Sequence, residues 1–82
     1  MIATNRNPLA SVFVLSNGLY SATVTNGTQH GQGISIRPRS AIAEAIDDLR
    51  SINPDTIPAA YVTKQSLSED DLVELVGTIV VL

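Results

Sequence analysis

The stretch Ser11-Val-Phe-Val-Leu-Ser-Asn-Gly-Leu-Tyr-Ser-Ala-Thr-Val-Thr25 decides the fold class of this 82-residue chain. Two runs rich in β-branched and aromatic residues, alternating with period two, are separated by Asn17-Gly18, and such a pair reads as a β-hairpin. Asn-Gly suits a type I′ turn, because both central positions need positive φ. With those two residues as the whole loop, Leu15 pairs with Tyr20, Phe13 with Ala22 and Ser11 with Val24. One face of the hairpin then collects Phe13, Leu15, Tyr20, Ala22 and Val24. The other collects Val12, Val14, Leu19, Ser21 and Thr23, a mixture suited to a contact surface.

Working outward, a second Asn-Gly at Asn26-Gly27 returns the chain into a third strand from Thr28 to Arg37. Gly31 and Gly33 interrupt its pattern. Continuing the simple register puts Ile34 and Ile36 opposite Phe13, which predicts a bulge near the glycines. Pro38 stops the strand and Ser40 is the expected N-cap of a helix. That helix sets Ile42, Ala45, Ile46, Leu49 and Ile52 on one side and Glu44, Asp47, Asp48 and Arg50 on the other, and is expected to cover the Phe13 face. Asn53-Pro54 breaks it. Ala59 to Gln65 reads as a fourth strand. Ser68 should cap a second helix ending at Gly77, with Leu67 and Leu72 as a hydrophobic staple and Glu69, Asp70 and Asp71 at its positive end. Thr78 to Leu82 is continuously apolar and predicts a strand buried on both faces.

The predicted order is thus β-β-β-α-β-α-β, an α+β class with a small antiparallel or mixed sheet and its helices on one face. Ferredoxin-like and double-stranded-RNA-binding-like arrangements are the alternatives. A chain of this length supports one hydrophobic core, so residues 9–82 are expected to form a single domain behind a flexible arm, residues 1–8. The order resembles the first part of a ribonuclease H-like fold, and its opening resembles the shortened version in HicB-type antitoxins. In both, an antiparallel hairpin sheet precedes a helix with an Ala-Glu-rich start, here Ala43-Glu44-Ala45. The resemblance implies metal-dependent cleavage only where aspartates stand in the first and fourth strands. Here the first three predicted strands hold no acid and the fourth reads Tyr61-Val-Thr-Lys64. Glu44 alone would remain, and two-metal chemistry is not supported.

Composition removes further classes. The chain is 44% hydrophobic and 16% charged, which favours a folded core over disorder. It has no cysteine and one histidine, so disulfides, thiolate chemistry and zinc-finger spacings are absent. The longest apolar run, Leu72 to Leu82, is shorter than the roughly 20 residues a membrane helix needs. A cytoplasmic protein without membrane contact is expected. The net charge of −3 is unevenly spread. The first 43 residues hold Arg6, Arg37 and Arg39 and no acid, while all eight acids follow, against Arg50 and Lys64. Such asymmetry can orient a partner.

His30, in His30-Gly-Gln-Gly33, could act as a base for Ser35 or Ser21, with Asp47 orienting it and glycine amides as an oxyanion hole. No nucleophile elbow accompanies it, and a surface histidine is the simpler reading. The same glycines could form an anion nest, although space for Tyr20 or a bulge explains them more economically. Arg6, Arg37 and Arg39 with Tyr20 or Tyr61 could bind single-stranded RNA weakly, but three cations fall short of the 6 to 10 phosphate contacts of strong duplex binders. Glu69-Asp70-Asp71 and Asp47-Asp48 read as helix charge rather than metal ligands, and no cofactor is expected. What remains is a small non-enzymatic interaction protein. It would bind a protein partner or form a homodimer, in the manner of an antitoxin-like module or an inhibitor from a phage or mobile element. Val12, Val14, Leu19, Arg37, Arg39, Glu44, Asp47 and Asp48 are the nominated partner-binding residues. The alternative is a minimal hydrolase or nucleotide-binding protein built on His30, Gly31 and Gly33.

Overall fold

A computed structural model describes residues 7–66 and 73–82. Its elements are β1 (Leu9–Val14), β2 (Tyr20–Thr25), β3 (His30–Ser35), α1 (Pro38–Ile52), β4 (Ala59–Gln65) and β5 (Ile79–Val81). They form one five-stranded mixed sheet in the order β3-β2-β1-β4-β5, with α1 packed on one side. β1 and β4 are parallel, and every other neighbouring pair is antiparallel. The α+β class and the hairpin opening are therefore as the sequence predicts. The face assignment is not.

Val12 pairs with Ala22, Val14 with Tyr20 and Phe13 with Ser21, one residue away from the expected register. The cause is the first turn. The Leu15 N–H donates to the Leu19 carbonyl at 2.6 Å and the Gly18 N–H to the Leu15 carbonyl at 3.0 Å, so the loop is Ser16-Asn17-Gly18. Gly18 alone takes positive φ, +84°. This is a type I turn closed by a glycine bulge, and a three-residue loop shifts the pairing by one place. Such a shift sends every side chain to the opposite face. Val12 is fully buried and Val14 packs against the core, whereas Phe13 stands on the uncovered side. The helix thus covers the Tyr20 face. At the second turn the loop is Gly27-Thr28, with positive φ only at Gly27, the position a type II′ turn reserves for glycine.

β3 pairs with β2 without a bulge, and the irregularity lies instead between β1 and β4, at Ala10/Ser11. Gly31 and Gly33 face α1. Their missing side chains let the helix backbone descend onto the sheet at Ala41, Ala45 and Leu49, with Ala41 and Ala45 as the small residues opposite. The resulting core joins Val12, Val24, Val62 and Val80 of the sheet to Ile42, Ile46 and Leu49 of the helix. Pro38, rather than Ser40, starts the helix, because proline at the first helical position presets φ. Arg37 occupies the N-cap without a side-chain cap. Ile52, expected inside, is half exposed at the last turn.

Of the expected second helix, residues 67–72 lie outside the described residues, and residues 73–77 are not helical. The Gln65 amide donates to the Val73 carbonyl at 2.9 Å and accepts from the Leu75 N–H, while the Gly77 N–H donates to the Val62 carbonyl. These three backbone groups are thereby committed to β4 rather than to helical bonds. Leu75 is buried. β5 is a three-residue edge strand in which only Val80 is buried, with Ile79 and Val81 exposed. It is covered on one side because α1 lies on one side. Pro8 is buried and its carbonyl accepts the Tyr61 N–H at 2.8 Å, so the sheet already holds the chain one residue before β1.

Candidate interaction face of the sheet

Alternation along each strand delivers two sets of side chains. Towards α1 point Ala10, Val12, Tyr20, Ala22, Val24, Ala60, Val62 and Val80, all buried. Away from it point Leu9, Ser11, Phe13, Ser21, Thr23, Thr25, His30, Gln32, Ile34, Tyr61, Ile79 and Val81, and no described element covers them. Six of these are large apolar residues, between 40% and 68% exposed.

Register arranges the six in two groups. Leu9, Tyr61 and Ile79 stand side by side across β1, β4 and β5, and Val81 follows along β5. Phe13 and Ile34 stand on either side of Ser21. Between the groups runs a polar band, Gln32, Thr23 and Ser11, where the strands pair in line. Beyond Leu9 and Tyr61 the face dips into an open hollow of about 450 Å³, rimmed also by Asn7, Pro8, Thr25, Asn26 and Gly27. Some of the hydroxyls are already satisfied from below. Thr63 donates to the Ala10 carbonyl at 3.0 Å, and Thr25 donates to the Gln29 carbonyl at 2.9 Å while accepting the Gly27 N–H. Covering them costs less than covering free hydroxyls, because their proton needs no water.

None of the five strands contains a carboxylate. Lys64, in register with Ser11, and His30 bring the only basic groups to the strands, and both are exposed. The acids of the helix, Glu44, Asp47 and Asp48, all lie exposed on its outer surface. Among the described residues, α1 thus carries three acids beside Arg39 and Arg50, while the strands carry one lysine and one histidine.

The nominated residues are scattered by this architecture. Val12 and Val14 lie under the helix and cannot form an outward surface; Leu19 is half-buried at the hairpin end. Arg37 and Arg39 flank buried Pro38 and, with Val73 and Leu75, rim a shallow hollow of about 190 Å³ at the helix start. Asp48 has a specific task. Its carboxylate accepts the Gln32 N–H at 2.9 Å, on the outer edge of β3. His30, at the start of β3, is separated from Ile34 and its neighbour Ser21 by about 13 Å of strand, while Ser35 and Asp47 lie towards the helix side. The histidine, serines and aspartate are not brought together, and Gly31 and Gly33 are filled by the helix. Arg6 lies outside the described residues.

For Leu9, Phe13 and Ile34 of this exposed set, the signal lay in β2 itself, which pairs with both of their strands. Ser21, Thr23 and Thr25 alternate there with Tyr20, Ala22 and Val24. Matching Ser11 to the hydroxyl side places Phe13 there too.

Comparison with protein-family models, with curated proteins and with solved structures found no match to this chain.

Proposed function

We propose that this chain is a small non-enzymatic interaction module that binds a protein partner through the open face of its sheet. In the finer form of this reading it is an antitoxin-like module or an inhibitor of phage or mobile-element origin. The observation that carries the reading is the set of six half-exposed apolar side chains on one uncovered face. Apolar patches of several hundred Å² on a small protein mark interaction sites. Aromatic anchors surrounded by hydroxyls, such as Phe13 and Tyr61 beside Ser11, Ser21 and Thr63, fit the make-up of interface cores, from which charged residues are depleted.

The test is affinity capture from the native host with the wild-type chain, Phe13→Glu, Tyr61→Glu and His30→Ala. Partner recovery should fall at least tenfold with either glutamate and stay unchanged with His30→Ala. Equal recovery with all four proteins would sink the proposal, and loss with His30→Ala alone would favour a catalytic reading.

A further inference from the structure

We infer that the occupant of the open sheet face is a second copy of this chain, joined face to face about a two-fold axis. The inference rests on the docking reading above and makes it specific.

A two-fold contact sets a surface against itself, so any net charge on it is doubled. The sheet side is suited to that, because no strand carries a carboxylate. Lys64 is the one cation near its middle, and the four-carbon stem allows the ammonium to reach the rim. An axis lying along the band of Ser11, Thr23 and Gln32 keeps each strand position and exchanges the two sides of the band, so it lays Leu9 of one copy over Phe13 of the other.

The size is adequate. Six side chains at 40% to 68% exposure offer roughly 500 Å² of apolar surface, taking large side chains at about 180 Å² each. With the hydroxyls and amide between them, the face approaches the ~800 Å² per partner of a standard interface. The competing route, pairing of sheet edges, is poorly served. On β3 the Gln32 N–H is taken by Asp48, and β5 is three residues long.

The experiment is sedimentation velocity with light scattering on the full chain, from micromolar to millimolar concentration. The expected mass at high concentration is twice 8.7 kDa. Thr23→Glu and Thr23→Lys, on the same band but with uncharged Ser11 and Gln32 as cross-strand neighbours, each with an unchanged circular dichroism spectrum, should remain monomeric alone and regain the doubled mass when mixed. Phe13→Ser, which adds no charge, should weaken association at least tenfold and guards against a folding defect in the charged variants. A mass of 8.7 kDa at every concentration overturns the inference, as does a dimer indifferent to all three substitutions. A monomer that still captures a foreign protein through Phe13 overturns the second copy alone, and leaves the docking reading standing.

Discussion

A Cβ added to Gly33 would stand 2.6 Å from the backbone nitrogen of Ala45 and closer still to the Ala41 carbonyl oxygen. Both are main-chain atoms of α1, so neither can move without moving the helix. Gly31 bears the same relation to the Ala45 carbonyl and the Leu49 nitrogen. Replacing glycine by alanine in an extended strand ordinarily gains about 0.4–1 kcal/mol by restricting the unfolded chain. Here overpacking of about 2–3 kcal/mol should outweigh that gain. Urea unfolding of Gly31→Ala and Gly33→Ala is expected to show a net loss for each. A gain at either position would mean that the helix backbone does not rest on the two glycines.

The first turn gives a second prediction. Gly18 holds φ at +84°, so Gly18→Ala should lose about 1 kcal/mol from the left-handed backbone alone. Deleting Ser16 should be far milder. It keeps Leu15 opposite Leu19 and leaves Asn17-Gly18 as a two-residue loop, the type I′ arrangement that this pair favours. Val12 then stays under the helix, and its amide should retain slow hydrogen exchange. Rapid exchange at Val12 in the deletion variant would show that loop length does not set the register as argued.

That turn also explains how much could be read beforehand. Asn17-Gly18 announces a hairpin, but the same dipeptide serves a two-residue loop or the end of a three-residue one, and the choice decides which face is inside. Large Phe13 favoured the wrong choice, since aromatic burial is the usual rule. The helix was legible because Ile42, Ile46 and Leu49 repeat at its own period, independent of any register. Gly31 and Gly33 were visible as anomalies, yet their cause is an approach of α1 that only the assembled fold contains. The open face followed from the register, and was lost with it. Expectation of a helix through 73–77 failed because propensity is local, while the Gln65 amide that holds Val73 and Leu75 is brought in by β4.

Asp48 yields a third prediction, about the β3 edge. Its bond to the Gln32 N–H is exposed, so Asp48→Ala should lower stability by no more than about 1 kcal/mol. The larger consequence should be kinetic. An edge amide without its carboxylate, and without the charge that repels a second strand, is a template for pairing. Asp48→Ala should therefore aggregate faster on gentle heating than Asp47→Ala, which removes the same charge from the neighbouring position. Light scattering during a temperature ramp makes the comparison, and equal rates for the two variants would argue that the edge is not what Asp48 protects.

The sharpest contrast is between two adjacent residues of β1. Val12 is wholly buried beneath α1, and Phe13 is 47% exposed on the opposite side. By size alone, truncating phenylalanine should be the costlier change, and in a core it costs about 3–5 kcal/mol. The register reverses this order for the isolated chain. Val12→Ala removes two methyl groups from a closed core and should lose about 2 kcal/mol. Phe13→Ala deletes a ring already half in water, and should lose under about 1 kcal/mol by the same area argument. Unfolding must be followed at concentrations low enough to keep the protein monomeric, since association through the open face would add a concentration-dependent term for Phe13. At higher concentration the Phe13→Ala deficit should grow while that of Val12→Ala stays constant. A monomeric Phe13→Ala that proves less stable than Val12→Ala would return Phe13 to the core, and the open face would vanish with it.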